Sequence, residues 1–430
     1  VLTIIENDPV PQEGSLQFGS ATYSVDESGP SVVISVTRTG GSFGAVSVDY
    51  ASSDGTASTG SDYTAVTGTL SFADGVATSQ SFSVPISEDT LFEGNETVNL
   101  TLGNVTGGAS LGSPAAVVLT IVENDPAPVV NFTAASQSVP EGDSGNSLVS
   151  ISASLNTTSE LPVTLPFTVN GTSSAGVDHT AVASTLTIPA GSTSASYSFS
   201  VIGDTLDEPN ETVIFSMGSP SNATTGLITT HTVNILDDDV TPSVNFTTSG
   251  QTVGEGSTGD TAVSVTASLS AVSSLDVSVP FTLSGSAANP VDHNAANGNI
   301  VIPAGSLTGS YSFNVVGDTL DEPNETIVFS MGAPTNASAG VITSHTVTIA
   351  DDDATPSLQF SAAAYAVSEA GPSVSITLTR TANRSGSVSV GYASSDASAS
   401  AGSDYTAVTG SLSFADGVAS QSFSVPISDD

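Results

Sequence analysis

Carboxylates recur along this sequence at a fixed interval. Glu27, Glu141, Glu255 and Glu369 follow one another every 114 residues, Asp62, Asp178, Asp292 and Asp404 keep that period to within two residues, and Glu96, Glu211 and Glu325 each sit in Asn-Glu-Thr. Acidic triplets close successive periods: Glu123-Asn124-Asp125, Asp237-Asp238-Asp239 and Asp351-Asp352-Asp353, with Glu6-Asn7-Asp8 closing one before them. Crowded carboxylates can either trade protons in hydrolysis or hold a hard cation. Hydrolysis of sugars fits poorly, because the acids cluster in turns instead of flanking a cleft and the chain has no Trp to offer a sugar platform. An all-oxygen donor set without Cys and with His outside it suits Ca²⁺, which accepts six to eight flexible oxygens more readily than Mg²⁺ does.

A period of this length is a whole domain. It divides the chain into residues 1–13 (the last strand of a preceding repeat), 14–127, 128–240, 241–354 and an incomplete 355–430. Repeats 1 and 4 resemble each other, as do repeats 2 and 3, so the order is A-B-B-A. Within repeat 1, apolar residues alternate with polar ones at Leu70 and Phe72, Phe82, Val84 and Ile86, Val98, Leu100 and Leu102, and Val117, Leu119 and Ile121. Period two over short runs marks half-buried strands. With 22–25, 32–36 and 46–50 this gives about seven strands per repeat, the rhythm of an antiparallel immunoglobulin-like β-sandwich in an all-β chain. Pro85 predicts an edge strand or a bulge. If each strand reverses the one before, Glu27, Asp62, Glu88, Asp89, Glu93, Glu96, Glu123 and Asp125 all fall in loops at one end. These are 8 of the 12 acids in residues 14–127, which a dispersed acidic surface would not concentrate in this way. Two such charges 4 Å apart repel by roughly 4 kcal/mol at an effective dielectric near 20, so the cluster calls for cations.

Composition removes several functions. Three basic residues, Arg38, Arg380 and Arg384, face 43 acidic ones, and the formal net charge of −40 repels a nucleic-acid backbone or an anionic membrane surface. Without Cys there is no disulfide or thiolate chemistry, and without Lys no Lys–Asn isopeptide staple. No apolar run is long enough to insert in a membrane as a helix. The opening Val1-Leu2-Thr3-Ile4-Ile5 has neither Met nor a basic leader, so the chain is expected to be an internal slice of a longer array.

Asp54-Gly55-Thr56-Ala57 with Gly60-Ser61-Asp62-Tyr63, then Glu88-Asp89-Thr90-Leu91-Phe92-Glu93-Gly94-Asn95-Glu96, and the terminal Glu123-Asn124-Asp125 together resemble the Calx-β domain. That module is known from sodium–calcium exchangers, an integrin cytoplasmic region and bacterial surface proteins. The resemblance implies a seven-stranded sandwich with calcium at one end. By position, the implied ligands are Glu27, Asp62, Glu88, Asp89, Glu93, Glu96, Glu123 and Asp125 in repeat 1. They are Glu141, Asp178, Asp204, Glu208, Glu211, Asp237, Asp238 and Asp239 in repeat 2, and Glu255, Asp292, Asp318, Glu322, Glu325, Asp351, Asp352 and Asp353 in repeat 3. Repeat 4 keeps Glu369, Asp404, Asp429 and Asp430, an incomplete set. Glu88 gives way to Gly203 and Gly317, and Asp54 to Asn170 and Ser284, so the B repeats are expected to hold fewer ions or to hold them more weakly.

Other signals read as structural. His179, His293, His231 and His345 have no second His or Cys nearby in sequence, and sequons such as those at Asn95, Asn210 and Asn324 arise readily in a Ser/Thr-rich chain. The expected function is a non-enzymatic, extracellular or cell-surface array, a stalk, fibre or adhesin shaft whose junctions Ca²⁺ stiffens. Its partners would be the neighbouring repeats. A calcium-regulated binding module and a filament of identical chains are the alternatives.

Overall fold

The computed structural model describes Asp8 and residues 10–429; the strand expected in residues 1–13 and the ligand expected at Asp430 fall largely or wholly outside them. The chain forms two compact units, Val1–Asp204 with Asn210–Asp237, and Thr205–Pro209 with Asp238–Asp430. The first holds most of repeats 1 and 2, the second repeats 3 and 4.

Repeat 1 contains nine strands: β1 (Ser15–Phe18), β2 (Thr22–Asp26), β3 (Ser31–Thr39), β4 (Val46–Asp54), β5 (Thr67–Phe72), β6 (Gln80–Pro85), β7 (Glu96–Thr106), β8 (Ser110–Leu111) and β9 (Ala116–Val122). They build a four-stranded sheet, β6-β3-β1-β8, and a five-stranded sheet, β2-β9-β7-β4-β5. Alternation puts Leu16, Phe18, Ile34, Val36, Phe82 and Val84 of the first sheet against Val48, Phe72, Val98, Leu100, Leu119 and Ile121 of the second, all buried in one core. All seven strands of the alternating pattern are present, and the sandwich is immunoglobulin-like. Pro85 ends β6, the edge of its sheet. The additional strands are β1 and β8. The first edge of the sandwich is split between sheets: β1 pairs with β3, the chain crosses at Gly19, where a Cβ would lie 2.2 Å from Ser35 Oγ, and β2 joins β9 in the other sheet.

The same two sheets recur in repeats 2 and 3. Repeat 4 has Ser357–Phe360, Ser373–Thr381 and Ser420–Pro426 in one sheet and Val388–Ala393 with Thr409–Phe414 in another. Its counterpart of β2 carries no ladder, since in the other repeats that strand pairs with the last strand of the sandwich.

Arg38 and Arg380, 2% and 1% exposed, serve the opposite end of the A repeats. Arg38 donates to the carbonyls of Glu13 at 2.9 Å and Phe43 at 2.8 Å, and Arg380 to those of Asn383 and Gly386 at 2.9 and 2.7 Å. The fork of guanidinium donors fixes loop backbone here.

Candidate metal centre

Strand register brings the acids of repeat 1 together. β2 runs parallel to β9 with Asp26 beside Val122, and β7 runs antiparallel to β9 with Glu96 opposite Ile121. The end of β2, the end of β9 and the start of β7 therefore share one end of the sheet, and Glu27, Glu123 and Glu96 meet there. The β4–β5 loop adds Asp62 and the β6–β7 loop adds Glu88, Asp89 and Glu93. Three triads result, Glu27–Glu123–Asp125, Glu27–Asp89–Glu93 and Asp62–Glu93–Glu96, each with its oxygens within 4.8 Å of one another. Glu27 and Glu93 each belong to two of them, so seven carboxylates form one connected cluster. Glu88 lies beside it, accepting a hydrogen bond from Asn124 Nδ2 at 3.3 Å.

Electrostatics register the crowding. Burial, then the charges of Glu123, Asp89, Glu88 and Asp125, push Glu27 up to about 7. Burial and the Asp62 carboxylate push Glu93 to about 7, and burial with a hydrogen bond to Asp62 pushes Glu96 to about 8. Glu27 and Asp62 are 5% and 7% exposed. Glu96 Oε2 and Asp125 Oδ2 are shielded from solvent and accept no hydrogen bond. A buried anionic oxygen without a donor is costly, and a cation is the partner that satisfies it. Oxygens this close can share one ion at the 2.3–2.6 Å bonds calcium makes, so the donor set fits a hard divalent cation. Glu123 has a positioning duty as well: Oε2 accepts from the N–H of Glu93 at 2.6 Å and of Gly94 at 2.9 Å, and Oε1 from Asp125 N–H at 2.7 Å.

In repeat 2, Asp178 lies against Glu211 and Glu141 against Asp237, each pair with oxygens within 4.8 Å. Asp204 belongs to the same unit, while Glu208, Asp238 and Asp239 group with the second. In repeat 3, Glu255, Asp292, Glu322, Glu325 and Asp351 line one narrow cleft. Burial and the charges of Asp318, Glu322, Asp351 and Asp353 push Glu255 to about 7, and burial with an Asp292 hydrogen bond pushes Glu325 to about 7. Asp352 turns aside to accept from Gly256 N–H at 3.1 Å. Repeat 4 brings no such group together among the described residues: Glu369 and Asp429 are exposed, and Asp404 accepts from Ser400 N–H at 2.7 Å.

The A-to-B replacements have structural causes. Asp54 stands outside the triads, and its Oδ1 accepts from Thr59 Oγ1 at 2.6 Å and Tyr63 Oη at 2.7 Å. Asp396 and Tyr405 repeat the pair at 2.8 Å in repeat 4. In the B repeats both partners change, to Asn170 with His179 and Ser284 with His293, so this exchange removes a tyrosine–carboxylate bond and no member of the cluster. His179 Nδ1 accepts from Ala181 N–H at 3.0 Å, and burial lowers its pKa. Gly203 stands where Glu88 would because the strands zip further: it pairs with Gly145, and a Cβ would lie 2.0 Å from the Gly142 carbonyl. The sequon asparagines were not recognisable as site residues. Asn95, Asn210 and Asn324 each accept, through Oδ1, the N–H of Glu123, Asp237 or Asp351, at 2.9–3.1 Å, and so hold the first residue of each acidic triplet. The signal available was their recurrence at the domain period.

The sequence profile of the Calx-beta domain matches residues 11–125, 123–239, 237–353 and 351–430. The chain belongs to the Calx-beta family. Among its relatives, sodium/calcium exchanger 1 of Rattus norvegicus is 32% identical over 149 residues, covering 30% of this chain and 15% of the exchanger. Extracellular matrix protein 3 of Lytechinus variegatus is 28% identical over 312 residues, 67% of this chain and 10% of that protein. The solved apo-form Calx CBD1 domain is 32% identical over 26% of this chain and 97% of its own, with a TM-score of 0.25. These stretches span about 10–15% of the length of the curated relatives. Among the described residues, no helix is long and apolar enough to cross a membrane.

Proposed function

We propose that this Calx-beta array binds Ca²⁺ at the acidic end of each complete repeat and serves as a non-enzymatic, extracellular or cell-surface stalk, fibre or adhesin shaft. The observation that carries the calcium reading is the connected cluster of repeat 1, in which two buried carboxylate oxygens lack any donor. Its acids come from the inter-repeat linker as well as the sandwich body, so ligation ties the linker to the domain. Pro126, Pro128, Pro242 and Pro356 restrict that linker further. The likeness to an extracellular matrix protein supports the location, and the likeness to sodium/calcium exchangers supports the rival reading, a calcium-regulated binding module.

Small-angle X-ray scattering on the whole chain separates them. Stiffening predicts an extended, rigid profile in millimolar Ca²⁺ and a more flexible one in excess chelator. Superimposable profiles with ions bound by titration would refute the mechanical role and leave the regulated module. Absence of bound ions would refute the calcium reading itself.

A further inference from the structure

The loop that carries Glu88 to Glu96 also touches the next repeat. Phe92 forms an isolated parallel bridge with Ser159 of repeat 2, and its carbonyl accepts from Ser159 Oγ at 3.0 Å and from the N–H of Glu160 at 3.2 Å. Ser159 is 2% exposed. Leu161 closes on Gly94 so tightly that a Cβ there would lie 3.2 Å from Leu161 Cδ1. The Glu160 N–H on the Phe92 carbonyl, with the Leu161 side chain against Gly94, thus holds the Glu160 backbone beside Glu93. The charge of Glu160 is among the causes that raise Glu93 and Glu96, the two acids that share a triad with Asp62. Repeat 3 repeats the docking without the charge. Ser273 bridges Asp207, and Ser274, in the place of Glu160, donates its N–H to the Asp207 carbonyl at 3.1 Å.

We propose that Glu160, a residue of repeat 2, sets the calcium affinity of repeat 1. This rests on the calcium reading above. A carboxylate whose backbone is docked on Phe92, next to Glu93, adds repulsion to the bare cluster and attraction to the occupied one, and both effects tighten ion binding when repeat 2 is docked. By linkage, an ion in repeat 1 then strengthens the docking of repeat 2 by the same factor. Glu96 Oε2, shielded and without a donor, leaves this triad unfilled bonding capacity. Because Ser274 occupies the equivalent place in repeat 3, the coupling is particular to the A-to-B junction.

Glu160 is exposed, so Glu160→Gln should leave folding intact. Calorimetric titration of the whole chain with CaCl₂ would compare the parent, E160Q, E96Q and the double variant. E160Q should weaken one class of sites by about tenfold, and the effect should vanish in the E96Q background, where that triad is already broken. An E160Q isotherm identical to that of a calcium-binding parent would overturn the inference alone. So would a loss that persists undiminished beside E96Q, since Glu160 would then act elsewhere. A parent that takes up no calcium would overturn the site reading and this inference with it.

Discussion

Glu93→Gln should produce opposite effects with and without calcium. Glu93 belongs to two triads and Glu96 to one, so with one ion per triad the first substitution removes two ions and the second only one. Extracellular calcium modules bind at roughly 10⁻⁴–10⁻³ M. At 1 mM Ca²⁺ and a Kd near 10⁻⁴ M, each ion stabilises the native state by RT ln(1 + [L]/Kd), about 1.4 kcal/mol. E96Q should then cost about 1.4 kcal/mol and E93Q about 2.8 kcal/mol. At roughly 5 °C per kcal/mol for a domain of this size, the midpoint of repeat 1 falls by about 7 °C in one variant and about 14 °C in the other. In chelator the sign reverses. Glu93 titrates near 7, so at pH 8 the native state carries an ionised group at a cost, and Gln removes that cost. Differential scanning calorimetry of the whole chain at pH 8, in CaCl₂ and in EDTA, reads both arms. Equal losses in the two buffers, or equal losses for E93Q and E96Q in calcium, would refute the shared-ligand argument.

Burial and neighbouring carboxylates push Glu27 and Glu93 up to about 7 and Glu96 to about 8 in the fold, from the ordinary glutamate value of 4.5, so between about pH 4.5 and 8 the native chain keeps protons that the unfolded chain has released. Melting in chelator should accordingly fall as pH rises from 5 to 8, while calcium affinity should rise over the same range because the ion competes with those protons; a flat series in chelator would contradict this. Gly203→Glu, which copies the A-repeat residue into repeat 2, should lower the melting temperature of that repeat without adding an ion, because its Cβ would collide with the Gly142 carbonyl at 2.0 Å. An extra ion in titration with an unchanged melting curve would show that the zipped strands can open to accept the ligand.

Much of this architecture was legible because it repeats. Alternation marked seven strands, since each has one face on the core and one on water. It missed β1 and β8, which are short; β8 is two residues long and pairs parallel to β1 across about 95 residues of chain, a contact no local period announces. The acids were legible because four turns return them to one end at the domain period. The roles of Asp54 and Asn95 were not, because composition does not distinguish a carboxylate that anchors a tyrosine from one that faces an ion, or a sequon from a linker clamp. Glu160 lay further out of reach: Ser274 occupies its place in repeat 3, so the period that exposed the other acids is silent there.

The proposed coupling between ion and junction would run through a single loop, Phe92 to Glu96. Phe92 turns its carbonyl toward Ser159 and Glu160 of the next repeat, while Glu93, its neighbour, turns its carboxylate into two triads of its own repeat. Backbone N–H groups of Glu93 and Gly94 are in turn held by Glu123 from the linker, and Glu123 by Asn95 from the same loop. A change in the charge state of the cluster would therefore reach the neighbouring repeat through one peptide unit. Phe43 occupies the corresponding loop of repeat 1, its carbonyl held by the buried Arg38 and its N–H by the Gln12 carbonyl. A ligand loop whose backbone is also the docking surface for the next repeat is an arrangement through which ion occupancy would alter the junction and leave the domain core unchanged.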